Sequence, residues 1–265
     1  MLISVIVATF NSEATIRECL NSILSQDYAL VEVIIKNGAS TDATLEIIQE
    51  YDGVLNVIID SSSDSGVYDA WNQAIELSSG DWITFLGSDD YFTHSKSISS
   101  VIPYLLEAQE KNCHLIYGNN DIIDLDGKYI TTTGQSWDLA KKDIHRKMTI
   151  RHPGSFVSRD IVSRIGPFDV SFKIIGDYDF VLSCISQTRV SYYPDSCVTH
   201  RVGGLSTNPS RCLNVIRETI QLRRKHDLKP YLLMDELFFK RITLYLLSKC
   251  FNERTIIKLM GRIKK

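Results

Sequence analysis

The chain has 265 residues, 44% hydrophobic and 23% charged, which is ordinary for a soluble globular protein and enough for one large α/β domain or two small ones. The net charge of −3 hides an asymmetry: residues 1–210 carry 15 Lys and Arg against 27 Asp and Glu (−12), residues 211–265 carry 14 against 5 (+9). The acidic body argues against a nucleic-acid partner, the basic tail points to an anionic surface, and no window approaches the roughly 18 uninterrupted apolar residues of a membrane span.

The opening run LISVIVATF lacks a basic leader and meets Asn11 and Glu13 too soon for a signal peptide, so a cytoplasmic protein is expected. Leu2 to Ala8 is nearly continuous apolar sequence, the mark of a strand buried on both faces of a parallel sheet. Ser12 then suits the N-cap of a helix over 13–25, where Ile16, Leu20, Ile23 and Leu24 recur at helical spacing. Strands are predicted over 31–35 and 54–59, and helices over 43–51 and 67–78. Polar loops follow every strand. This β-α-β-α-β-α-β order predicts a mostly parallel, doubly wound sheet with ligand groups on the strand-end loops. The absence of GxGxxG after the first strand and of GxxxxGK[ST] counts against dinucleotide-binding and P-loop domains.

The stretch DWITFLGSDD (81–90) closes this half: a buried strand over 82–86, a Gly-Ser turn, and two adjacent carboxylates, Asp89 and Asp90. Neighbouring acids repel, and hard divalent cations such as Mn or Mg bind through one or two carboxylates plus substrate phosphates. The plainer reading is that SDD caps a following helix.

Beyond it, strands are predicted over 115–117 and 128–133 around the DLDG turn, a loop or broken helix over 138–151, a strand over 155–157 and a helix over 159–165. Asp177 and Asp179 precede a helix over 180–186, 189–193 is a last strand, and 197–204 is a connection. From Cys212 the sequence is helical, first to His226 and again over 231–264. The six cysteines lack paired spacing and read as reduced, mostly core residues.

Five ordered segments, SVIVATFN (4–11), IIKNGASTDATLEII (34–48), SDSGVYDAWNQAI (63–75), GDWITFLGSDD (80–90) and IGDYDF (175–180), resemble the successive motifs of family 2 glycosyltransferases. The resemblance spans roughly residues 1–205 and implies a GT-A fold: an α/β, mostly parallel sheet flanked by helices, with a C-terminal helical tail. It implies a nucleotide-binding half over 1–90, an acceptor-binding half over 91–210, and a tail over 211–265.

By the same resemblance Thr9 and Asn11 line the donor nucleotide pocket, although turn-making and capping are ordinary work for such residues. Asn37 stands where the family usually has an Asp that holds the base, and its amide oxygen can accept from a uracil imide. Asp69 and Asn72 would support the nucleotide-sugar pocket; Asp69 alone is also favoured at a helix start. Asp89 and Asp90 match the metal motif, usually DSDD, with Gly87 replacing its first acid. Asp177 would be the general base, since a sugar hydroxyl needs a carboxylate to take its proton. Asp179 is the other choice, or a helix cap. His152, His200 and Arg201 are candidates for acceptor, diphosphate or metal contacts, against the commoner structural role of lone histidines.

The expected protein is an inverting, Mn- or Mg-dependent glycosyltransferase. It would move a hexose or N-acetylhexosamine from a UDP-sugar to a glycan acceptor, plausibly linked to undecaprenyl diphosphate in bacterial surface-polysaccharide assembly. Lys240, Arg241, Lys249, Arg254, Lys258, Arg262, Lys264 and Lys265, interleaved with apolar residues, suit an amphipathic helix on the inner face of the plasma membrane. A solvated helix packed on the domain fits that pattern equally. The rival readings are an inactive sugar-nucleotide-binding relative, a nucleotidyltransferase, which would want a Gly-, Lys- or Arg-rich loop where ATFNSEAT has none, and a membrane adaptor, which leaves the five motifs without a purpose.

Overall fold

A computed structural model describes residues 1–204, 208–230, 239 and 241–246. The first half follows the expected alternation: β1 (Ile3–Thr9), α1 (Ile16–Leu24), β2 (Val31–Asn37), α2 (Thr44–Gln49), β3 (Val57–Asp60), α3 (Val67–Leu77) and β4 (Trp82–Gly87). β1 lies between β2 and β4, parallel to both, with Thr9 opposite Asn37 and Ala8 opposite Gly87. Three strands therefore end at one lip, with β3 parallel beyond β2.

Both faces of this sheet are covered, which explains the unbroken apolar strands. Val5, Val7, Val33 and Ile35 join one core cluster with Leu20, Ile48, Val101 and Leu105, while Ile6 and Ile34 join the other with Ala74, Val181 and Val215. Successive side chains of one strand thus feed two separate cores.

The second half comprises β5 (Tyr91–Phe92), α4 (Ser97–Glu110), β6 (Cys113–Ile123), β7 (Tyr129–Thr133), α5 (Trp137–Asp143), β8 (Phe156–Ser158), α6 (Arg159–Ile165), α7 (Gly176–Gln187), β9 (Arg189–Arg201) and α8 (Cys212–Lys225). The sheet order is β3-β2-β1-β4-β8-β6-β9-β5, with β7 paired to β6. β8 runs antiparallel to both β4 and β6, and β5 antiparallel to β9.

Several expectations change. Residues 197–204 are not a simple connection: β9 continues to Arg201, held by β6 along its length and by β5 near its end. α7 begins at Gly176, so Asp177 and Asp179 lie in its first turn. α4 was not foreseen, although Ile98, Val101, Leu105 and Ala108 recur on one helical face and are buried. Ser12 does not cap α1, whose N-cap is Thr15, because its hydroxyl turns to Phe10 O and Ser88 Oγ. The described cysteines, Cys19, Cys113, Cys184, Cys197 and Cys212, are free and buried as expected.

The first stretch of the predicted tail is α8, whose Val215 and Leu222 enter a core cluster. The second stretch, 231–264, lies outside the described residues except for 239 and 241–246, and so do all its named basic residues but Arg241. Among the described residues no helix is long and apolar enough to cross a membrane.

Candidate active site

The loops after β1 and β2 are stitched together at the lip. Asn11, at φ 49°, accepts from the Thr41 N–H at 2.9 Å and donates its own N–H to Ser40 Oγ at 2.9 Å. The Ser12 N–H reaches Thr44 Oγ1 at 2.7 Å, and Asp42 accepts from the Glu13 and Thr44 N–H groups. Asp64 closes over Gly38, where a Cβ would lie 2.6 Å from Asp64 Oδ2.

Within this frame two buried polar atoms lack partners: Thr9 Oγ1 and Asn37 Nδ2, on residues that face each other across β1 and β2. Buried polar groups are nearly always paired, so neighbouring orphans at a strand-end lip mark a place for a ligand. The Asn37 amide oxygen is already taken by the Ser40 N–H and Oγ, at 3.3 and 2.5 Å. The group Asn37 has to spare is therefore its NH2, and the expected acceptance of an imide proton is not what this arrangement offers.

The β4 strand ends in a turn closed by the Asp90 N–H on Gly87 O at 3.0 Å. Asp90 is 2% exposed. Its Oδ1 accepts the Arg201 backbone N–H at 3.1 Å and lies 2.9 Å from His200 Nδ1, an ion-pair distance without the alignment of a hydrogen bond. The antiparallel pairing of Tyr91 with Thr199 brings these two segments together. Burial opposes charge on His200, but Asp90 outweighs it and raises the imidazole above its ordinary value. Burial first, and Asp90 second, push the Asp89 carboxyl up. Such a strained acid pair is what a cation or donor set relieves.

Gly87 belongs to the same arrangement. A Cβ there would lie 2.8 Å from Asp90 Oδ2 and 2.9 Å from Asp89 Oδ1, so both carboxylates fold back over the strand end. Among the described residues no three His, Cys, Asp or Glu side chains already converge as a metal cage. Two adjacent carboxylates, one buried (Asp90) and one half-buried and raised (Asp89), fit a cation completed by substrate phosphates. The Arg201 side chain turns away, to Glu18 Oε2 at 2.8 Å and Asp124 O at 3.5 Å.

The two aspartates of GDYD have opposite surroundings. Asp179 is 3% exposed and is neutralised by Lys225 Nζ at 2.9 Å and His226 Nε2 at 2.8 Å. Asp177 has no Lys, Arg or His within ion-pair distance among the described residues. It accepts from the Tyr178 N–H at 2.9 Å and weakly from the Tyr68 hydroxyl at 3.4 Å. Burial pushes its carboxyl up to about 6, against the pull of these donors and of Arg151. That value suits a base working near neutrality. Gly176 lets Tyr68 approach, since a Cβ would meet the Tyr68 ring at 2.8 Å.

Other expected site residues serve the scaffold. Asp69 accepts the Ser65 N–H at 2.7 Å, which holds its carboxyl below the ordinary range. Asn72 bonds the Phe168 backbone through both its amide groups, at 2.9 and 2.8 Å. His152 is a correction: it is 2% exposed, caged by Trp71, Phe85, Phe168 and Phe180, and its imidazole is pushed down to about 3 by burial. It is a neutral core ring with no surface for an acceptor.

Two residues missed from the sequence are Tyr68 and Arg151. Burial lowers Arg151 and Asp177 acts to raise it, while Arg151 in turn lowers His200, so its charge is felt at both Asp177 and His200. No sequence signal separates Arg151 from the basic residues around it.

The profile described as Glycosyl transferase family 2 matches residues 4–166. A PGL/p-HBAD biosynthesis glycosyltransferase of Mycobacterium bovis is 32% identical over 213 residues, 77% of this chain and 79% of that protein. The Escherichia coli UDP-Glc:alpha-D-GlcNAc-diphosphoundecaprenol beta-1,3-glucosyltransferase WfaP is 30% identical over 181 residues, 68% of each. Among solved structures, S. aureus TarS superposes with a TM-score of 0.65 at 22% identity, over 96% of this chain and 44% of that one. Its 1–349 portion in complex with UDP-GlcNAc gives 0.62 at 19%, over 92% and 70%. These structures share the fold of the sheet and its flanking helices. With its strand-end loops, its turn of paired carboxylates and its profile match, the chain belongs to glycosyl transferase family 2.

Proposed function

We propose that the chain is an inverting glycosyltransferase that moves a hexose or N-acetylhexosamine from a UDP-sugar to a sugar hydroxyl on a lipid-diphosphate-linked glycan. The observation that carries this reading is the contrast on one helical turn: Asp179 is neutralised, while Asp177 is raised to about 6 and forms no ion pair among the described residues. One carboxylate able to take a proton is what single displacement requires. Asp177 removes the hydroxyl proton as the acceptor oxygen bonds to the anomeric carbon, the bond from that carbon to the diphosphate breaks on the opposite side, and UDP leaves.

Thr9 Oγ1 and the Asn37 NH2 offer the base one hydroxyl and one donor, the latter suited to a uracil carbonyl. Asn11 supports them by fixing the two loops. Asp89 and Asp90 would hold Mn or Mg, with His200 beside them; when bound, such an ion would neutralise charge on the departing diphosphate. Arg151 supplies positive charge felt at both Asp177 and His200. UDP-GlcNAc in the TarS complex supports the donor class, and the diphosphoundecaprenol acceptor named for WfaP supports the acceptor class. The +9 balance of residues 211–265 suits an anionic leaflet where such an acceptor resides.

Thermal stabilisation by UDP, GDP, CMP and dTDP, each with and without Mn, tests the donor site, because a ligand of the folded form raises stability by RT ln(1 + [L]/Kd). A Mn-dependent shift confined to UDP is expected, followed by UDP release when UDP-Glc or UDP-GlcNAc meets a long-chain GlcNAc diphosphate. A shift with GDP instead would overturn the donor assignment. Binding of UDP without transfer to any acceptor would favour an inactive relative.

A further inference from the structure

The segment that carries Asp177 is held from outside the five motifs. Glu218, in the middle of α8 and 9% exposed, accepts three successive backbone N–H groups: Oε1 from Lys173, and Oε2 from Ile174 and Ile175, all at 3.0 Å. These residues lead directly into α7, where N–H groups have no helical acceptor and attract an anion. About two turns further along α8, Lys225 pairs with Asp169 at 2.8 Å and with Asp179 at 2.9 Å, while His226 takes the other oxygen of Asp179. Gln221 adds a bond to Ser171 Oγ at 2.7 Å. α8 therefore grips the stretch 169–179 at both ends, and Val215 and Leu222 share one core cluster with Phe172 and Ile174.

We propose that Glu218, with Lys225 and His226, positions the general base, so that α8 is part of the catalytic apparatus. This rests on Asp177 being that base. The geometry gives the reason. Residues two apart on a helix point about 200° apart, so fastening Asp179 to α8 turns Asp177 toward the opposite side, where Tyr68 and Arg151 stand. Glu218 fixes where the helix begins and so the height of Asp177 above the lip. Lys173 Nζ extends the same frame to Ser65 O at 3.1 Å, in the loop ahead of α3. A carboxylate taking three successive N–H groups just ahead of the helix is an anchor that a hydrophobic contact alone would not provide.

The test compares wild type with Glu218→Gln, Glu218→Asp and Lys225→Met, with Asp177→Asn as control. UDP release from UDP-GlcNAc, to the long-chain acceptor or to water, is followed against pH. The groups facing Asp177 are Tyr68 from α3, Arg151 from the loop before β8 and the Tyr178 N–H of its own turn; Asp179, Lys225 and His226 lie on the other side. A positioning role predicts that Glu218→Gln lowers kcat at least about tenfold with KM for the donor nearly unchanged, and displaces the acidic limb of the kcat profile. Glu218→Asp, which keeps the charge, should recover part of the rate. Lys225→Met, at the exposed end of the grip, should show the same split more weakly and serves if Glu218→Gln does not fold. If folded Glu218→Gln and Lys225→Met both keep the wild-type kcat and acidic limb while Asp177→Asn is inactive, the base stands and the positioning role falls. If Asp177→Asn keeps full activity, the base assignment falls and the positioning role goes with it.

Discussion

Glu32 and Asp177 are both acids set into the protein, and their surroundings drive them in opposite directions. Glu32 lies where β1 and β2 begin, 7% exposed, and accepts from Ser4 Oγ at 2.6 Å, Ser79 N–H at 2.5 Å, Ser79 Oγ at 2.7 Å and Gly80 N–H at 2.8 Å. Burial alone would raise its carboxyl, but these donors outweigh burial and hold it below its ordinary value. At the head of α7 the balance reverses: burial wins, and Asp177 rises to about 6. A fully partnered acid ties the starts of β1, β2 and β4 together; an acid short of partners is available for chemistry.

The contrast breaks most visibly at Asp177. Asp177→Asn should lower kcat by about 10²–10⁴-fold with UDP affinity retained, as measured by steady-state transfer and by thermal shift. In wild type, kcat/KM should fall about tenfold per pH unit below about 6, the acidic limb of a base that must be ionised in the free enzyme. Next in size, Asp89→Ala should abolish the Mn-dependent part of UDP binding while leaving the fold intact, read by calorimetry with and without Mn.

Stability sharpens the comparison. Between about pH 4 and 6 the folded state keeps a proton on Asp177 that the unfolded chain has lost, so stability falls as pH rises through that window. Asp177→Asn removes this fall and should gain on the order of 1–3 kcal/mol at pH 7.5 and almost nothing at pH 4, in urea unfolding. Glu32 has the opposite sign: its contribution is present above its ordinary value and lost as pH falls through its lowered one. Glu32→Gln should cost about 2 kcal/mol near neutrality with little effect on the activity of folded molecules. The smallest effect is at the lip, where Thr9→Val should stabilise the free protein by about 1 kcal/mol yet weaken UDP several-fold.

The same contrast explains what the sequence could show. The first ninety residues were readable because strand, loop and helix signals are local there; β1, β2, α3 and β4 end within three residues of their expected ends. Asp89, Asp90 and Asp177 sit inside contiguous motifs. What escaped was assembled at a distance: the reversal of β8 between β4 and β6, the run of β9 along β6 to Arg201, and the meeting of Tyr68 with Asp177 across 109 positions. Glu218 looked like one acid in a basic helix, and only the fold shows three N–H groups waiting for it. His152 misled because an imidazole beside a Pro-Gly turn suggests chemistry, whereas here it fills an aromatic core.

Gly87 makes three positions interdependent. The space a side chain would need there is already taken by the carboxylates of Asp89 and Asp90. Placing an acid at this point would therefore not add a ligand to an otherwise unchanged site; it would push both existing acids off the strand end. Any attempt to graft the fuller acidic motif, by design or through mutation over time, has to change the turn at 87–90 as a block, and single replacements at 87 should behave as losses rather than as intermediate steps.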